Sequence, residues 1–224
     1  MKKTGFTLAE VLITLTIIGV VATLTLPALM NNTAEQQYKA ALKKGINTLT
    51  VAAETNEAIE GFNYAGTTQS SALNASDATT TASLFALLAS RASIDITKCG
   101  ISGPMNTTNV NPSSNFAVYF RDGSAVMFPA NATGNTSTAN ATQADRLPYG
   151  IPAVLDVNGS KLPNMLSNCN GVVAQSSEGL NTSDSGNISD CTNDKRVIKD
   201  RFGVRLRGHY AVPNGRAARW AMEN

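Results

Sequence analysis

The sequence predicts an α+β protein built on one long amino-terminal helix. Three observations carry that prediction: an apolar run of membrane length near the start, an amphipathic repeat that continues it without a stop signal, and short alternating apolar segments joined by polar loops further on. The helix is expected over about residues 6–60, its first half transmembrane, packed on a small antiparallel β-sheet with long polar loops. Four regions follow: a leader at 1–5, a membrane half at 6–30, an amphipathic half at 31–61, and an extracytoplasmic head at 62–224.

The leader is short and basic, with Lys2 and Lys3, and ends in Gly5 before Phe6. Residues 11–30 then hold no charge and, at about 1.5 Å per residue, span about 30 Å, the thickness of a bilayer core. Thr14, Ile17, Ile18, Val20 and Val21 are β-branched and weaken a helix in water, but in lipid a single span has to bond its backbone internally. A secretory signal peptide would close its apolar run with an A-x-A-type site. Nothing of that kind follows Met30, and the small residue Gly5 lies before the run. Gly19 and Pro27 are the two places where the helix can bend or melt locally.

Beyond Pro27, Ala34, Tyr38, Leu42, Ile46, Leu49, Ala53 and Ile59 recur at helical spacing. Glu35, Lys39, Lys43, Lys44, Glu54, Glu57 and Glu60 fall largely between them, and Gly61 supplies the stop. Residues 65–83, 131–144 and 175–189 are polar loops, and residues 84–92 read as a short helix with Leu84, Leu87 and Leu88 on one face. Residues 116–128 place Asp122-Gly123 between two alternating apolar runs, the strongest short hairpin signal in the chain. Residues 151–157 read as a strand that ends in the turn Asp156-Val157-Asn158-Gly159. Residues 202–206 read as another, punctuated by Arg201, Arg205 and Arg207. The amphipathic stripe is expected to cover one face of this sheet.

One carboxylate, Glu10, interrupts the apolar start. Carrying an acid to the bilayer centre costs about 2.5–3.5 kcal/mol on insertion scales, so a chain that keeps one is expected to have a partner for it. That partner is expected to be a positive charge on another subunit. The alternative is a single-pass anchor with Glu10 at the headgroup level, and it leaves the Gly5 to Phe6 junction unexplained.

The string GFTLAEVLITLTIIGVVATLTLPAL resembles the processing and assembly signature of the type IV pilin-like proteins, which include pilus subunits and the pseudopilins of type II secretion. The resemblance covers the leader and the long helix. It implies cleavage after Gly5 by a membrane prepilin peptidase, methylation of the new amino terminus on Phe6, and neutralisation of a neighbour's terminal ammonium by Glu10. It further implies copies of the same chain, other pilin-like subunits and an inner-membrane assembly platform as partners. The expected location is the cytoplasmic membrane as a single-pass precursor, then a periplasmic pseudopilus or a cell-surface pilus.

The formal charge of +2 is unevenly placed. Residues 51–190 carry five Lys/Arg against eleven Asp/Glu, and residues 195–224 carry eight against two. Removing the leader brings the balance to zero, which argues against bulk electrostatic binding of nucleic acid. The basic segment from Lys195 to Arg219, with Phe202, Tyr210 and Trp220 in or beside it, has the composition of a single-strand nucleic-acid surface, and equally that of a contact with an acidic neighbouring subunit. A DNA-uptake pilin using Arg205 and Arg207 is therefore one rival reading. A membrane-tethered periplasmic enzyme is the other.

Catalytic patterns do not support the enzyme. His209 is the only histidine, and no G-x-S-x-G, HExxH or P-loop pattern occurs. Asp156, Asp184, Asp190 and Asp194 with nearby Asn side chains offer oxygen ligands for calcium, but their spacing fits no EF-hand and solvated loop acids are the simpler reading, so no cofactor is expected. Of the three cysteines, Cys169 and Cys191 flank one polar loop and form the preferred disulfide outside the cytoplasm. Pairing with Cys99 and three reduced cysteines both stay open.

Overall fold

In a computed structural model of the protein, the structure describes residues 5, 7–67, 82–100, 115–129, 150–171 and 188–224. The chain divides into two compact units, Met1–Gln37 and Tyr38–Asn224. Helix α1 (Leu8–Glu60) begins in the first and ends in the second.

In the first unit, Leu8–Leu26 is long and apolar enough to cross a membrane, and none of it is buried within the protein. Its threonines do not leave their hydroxyls unpaired. Thr14, Thr16, Thr23 and Thr25 donate back to the carbonyls of Val11, Leu12, Val20 and Val21 at 2.8–3.0 Å. Each hydroxyl proton is thereby satisfied without water, the condition for a hydroxyl to sit in lipid. Helix α1 is continuous through Gly19 and Pro27, the two positions where a bend or local melting is expected. Proline removes one donor from a long ladder, and the bonds on either side keep the segment helical.

The second unit is organised on a five-stranded antiparallel sheet: β1 (Asn115–Tyr119), β2 (Ala125–Pro129), β3 (Ile151–Asp156), β4 (Arg201–Arg207) and β5 (Tyr210–Pro213), neighbours in chain order throughout. Alternation sends Phe116, Val118, Val126, Phe128, Ala153, Leu155, Phe202, Val204 and Leu206 to one face, where they form one core with Leu42, Ile46, Leu49 and Ala53 of α1. The helix comes close enough to exclude a side chain at Gly45, since a Cβ there would lie 2.6 Å from Leu155 Cδ2. The hairpin turn is closed by Asp122, whose Oδ1 accepts from Ser124 N and Oγ while its Oδ2 meets Lys44 of α1 at 2.7 Å. A Cβ at Gly159 would run into the Gly123 carbonyl, so the turn after β3 requires glycine where it meets the β1–β2 turn.

The inward stripe departs from the sequence reading at both ends. Ile59 is 62% exposed, and the core ends instead at Asn56, which is buried, donates to the Phe62 carbonyl at 2.8 Å and accepts from Arg91 at 3.1 Å. Helix α2 (Leu84–Arg91), capped by Ser83, brings that arginine, which also pairs with Glu60 at 2.7 Å. Gly61, at φ 77°, then ends α1. Lys39, read as polar-face, is only 6% exposed because its ammonium lies 4.0 Å from the centre of the Trp220 ring.

Residues 195–219 are not a separate basic tail. They include β4, β5 and the first half of α3 (Arg216–Glu223), and α3 has no counterpart in the sequence reading. Ala217, Ala218 and Ala221 bury one face of α3 in the core, and Arg196 stacks on Trp220 at 3.7 Å from the ring centre. The 3.6-residue repeat was legible, but alanine is a weak apolar marker and the arginines dominated the composition.

Both sheet edges are occupied. At β1, Ala117 exchanges two backbone bonds with Gly100, while the Tyr119 carbonyl accepts from Asp95 and its N–H meets Cys99 Sγ. At β5, the Ala211 N–H is taken by Thr50 Oγ1 of α1 at 3.1 Å, and Pro213 has no N–H to offer.

The Gly45 contact makes a direct test. In an exposed helix Gly→Ala gains up to about 1 kcal/mol of propensity. Gly45→Ala should instead lower stability, by about 1–3 kcal/mol, because the methyl overpacks against Leu155. Urea unfolding of the detergent-solubilised chain reads the difference, and a gain in midpoint would contradict the packing.

Candidate functional site

The start of α1 gathers the residues that sequence analysis singles out. Thr7 is the residue before the helix, and its Oγ1 accepts from the Glu10 N–H at 3.3 Å. Glu10 reaches back, its Oε2 accepting from Thr7 N at 2.9 Å and from Thr7 Oγ1 at 2.8 Å. This is a reciprocal capping box, which satisfies amides that the first helical turn leaves unpaired and sets a negative charge at the positive end of the helix dipole. Both contacts use one oxygen of Glu10, and Oε1 has no partner among the described residues. Gly5 is exposed, and a Cβ on it would meet nothing within 4 Å, so its backbone is open to an approaching protein. Phe6 and the lysines of the leader lie outside the described residues.

Sequence reasoning gave Glu10 a partner in another chain and missed the partner in its own. The signal was present as Thr7-Leu8-Ala9-Glu10, a T-x-x-E box directly before an apolar run.

The other candidates do not converge with this site. Asp156 is fully buried and bonded to Arg201 at 2.8 Å, while Asp194 is exposed and lowered below the usual carboxylate range by the Thr192 hydroxyl. Asp184 and the side chain of Asp190 lie outside the described residues, and among the described residues no three His, Cys, Asp or Glu side chains come together. His209 sits on the exposed turn between β4 and β5, its Nδ1 3.9 Å from Glu57 and its ring against Tyr210. Cys169 and Cys191 form a disulfide with Cα atoms 4.9 Å apart. Cys99 is a half-buried thiol, pushed up by burial, that touches the Asp95 carbonyl and the Tyr119 N–H. Of the basic residues, Arg201 is buried and Arg205 bonds Asn214 and the Gly150 carbonyl, so these cations serve the fold.

A short cationic leader, an accessible Gly5, a capped carboxylate at the fifth position after it, and an apolar helix of membrane length define a prepilin-type amino terminus. Residues 1–26 match the family model described as the prokaryotic N-terminal methylation motif, the prepilin-type signature of type IV pilins and pseudopilins. No curated protein and no solved structure matches the chain. The motif and the apolar helix together indicate a precursor anchored in the inner membrane.

Removing the Thr7 hydroxyl has a measurable local consequence. Thr7→Val should destabilise the first turn by about 0.5–2 kcal/mol, whereas Thr7→Ser should not. Hydrogen exchange at the amides of Ala9 and Glu10 in micelles reads it as faster exchange in the valine variant alone.

Proposed function

We propose that this chain is a structural subunit of a helical filament, a type IV pilus or a type II secretion pseudopilus. A prepilin peptidase cuts it between Gly5 and Phe6, the new terminus on Phe6 is methylated, and α1 carries assembly with copies of the chain and related subunits on an inner-membrane platform. The carrying observation is the methylation motif over residues 1–26 with Glu10 as the one acid in its apolar run.

The geometry supports this reading in two ways. Among the described residues Thr7 holds Glu10 Oε2 and nothing meets Oε1, so the carboxylate can accept a neighbour's ammonium without giving up its cap. In a low-dielectric contact such a charge-assisted bond fixes register between subunits, although desolvation cancels much of its net energy. The occupied sheet edges favour polymerisation through the helix over strand addition. One surface patch packing against a different one then generates an open helical array. The reading requires no cofactor. The DNA-uptake rival has less to stand on, because Arg196, Arg201 and Arg205 are engaged in packing and pairing within the sheet domain.

Mass spectrometry of the mature protein should find an amino terminus at N-methylated Phe6. At equal membrane abundance, Glu10→Ala should lose most of its sheared or surface-exposed filament. Parental levels of filament in that variant would overturn the proposal.

A further inference from the structure

Away from the amino terminus, the most unusual chemistry lies where β3 ends and β4 begins. Asp156 and Asp200 are both fully buried, and Arg201 is 6% exposed. Together these three residues hold the first part of the connection that follows β3, residues 157–167. Asp156 Oδ1 accepts from Asn158 N at 3.2 Å, and the Asp200 carbonyl accepts from Val157 N at 2.9 Å. The two oxygens of the Asp200 carboxylate take the N–H groups of Asn164 at 2.7 Å and Met165 at 2.8 Å. Arg201 bonds Asn164 Oδ1 at 3.2 Å, and its backbone pairs with Met165 and Ser167. Between these anchors the chain swings outward, leaving Leu162 80% exposed.

We propose that the Asp156–Asp200–Arg201 centre is a proton-operated latch: with one proton bound it fastens residues 157–167 to the sheet, and loss of that proton loosens them.

The argument rests on charge and burial. Among the described residues, the charged and titratable groups that act on Asp156 are Arg201 and Asp200 from the β4 side and Tyr38 from α1. Two carboxylates and one guanidinium leave a negative charge out of water, which is costly until a proton removes it. Burial pushes the Asp156 carboxyl up to about 7 against the pull of Arg201, with Asp200 adding to the rise. Tyr38, raised by its own burial and by the same two carboxylates, stays neutral there. A carboxyl raised in the fastened state binds its proton more tightly there than in the loosened state. The latch is therefore firm in acid, weakens as pH rises from the ordinary carboxylate range towards about 7, and changes no further above it.

Hydrogen exchange of the full-length chain in detergent micelles tests this, with intrinsic rates corrected for pH and β2 as internal reference. Opening of residues 157–167 should rise roughly tenfold per pH unit between about pH 5 and 7 and then level off, while β2 stays constant. Asp156→Asn should abolish the slope, since its centre is already charge-balanced. A flat wild-type profile, a slope of opposite sign, or an unchanged slope in Asp156→Asn would each overturn the latch. Should the variant not fold, carbon-13 titration of the Asp156 carboxyl in the wild type decides: a midpoint near 7 supports the latch, and one at or below the ordinary value of about 4 overturns it.

Discussion

The sheet domain depends on one packing constraint, the approach of α1 to β3 at Gly45. A helix face of Leu42, Ile46, Leu49 and Ala53 can cover a five-stranded sheet only if its axis lies close to the central strand, and the missing side chain at Gly45 lets Leu155 fill that space. Interiors pack at crystal-like density, so the contact fixes the surrounding side chains as well. It also brings Lys44 to Asp122 in the β1–β2 turn, Thr50 to Ala211 at the far edge, and the Leu49 carbonyl to the hydroxyl of buried Tyr64. A single helix thus reaches both ends of the sheet with side-chain bonds as well as apolar surface.

The cations of the carboxyl-terminal part follow from the same economy. A small domain has few apolar residues to spare, and here long polar side chains supply packing as well as charge. Arg201 neutralises part of a buried acidic centre, Arg205 fastens the chain at Gly150, and Lys39 with Arg196 flanks Trp220 on α3. The aliphatic stems cover apolar surface while the charged ends find a ring, a carboxylate or a carbonyl. Net charge along the sequence was thus a poor guide to surface charge.

The amino terminus was the most legible part of the sequence, because its constraints are local. Membrane length, the placement of Gly5 and the lone Glu10 are properties of contiguous residues, and so is the hairpin around Asp122-Gly123, which the β1–β2 register reproduces. Four of the five strands, α1 and α2 were visible as alternation or 3.6-residue recurrence. The Thr7 cap was legible too, as a T-x-x-E box directly before the apolar run. What sequence could not give was the non-local part: that Asn56 would find Arg91, that Lys39 would find Trp220, and that Asp156 would be sealed in with Asp200 and Arg201. Polar residues carry no periodic signal for burial, and their partners lie up to 181 positions away.

The occupied margins of the sheet bear on how such a molecule survives crowding. Filament subunits are held at very high local concentration, and an unprotected strand margin repeated along a fibre is a template for cross-β growth. A threonine of the helix over the Ala211 amide, a proline at position 213, and the Gly100 bridge against Ala117 blunt that template at the two edge strands. In the proposed filament, order between neighbours would then fall to surfaces other than strand pairing, so that adding a subunit need not risk fusing two sheets.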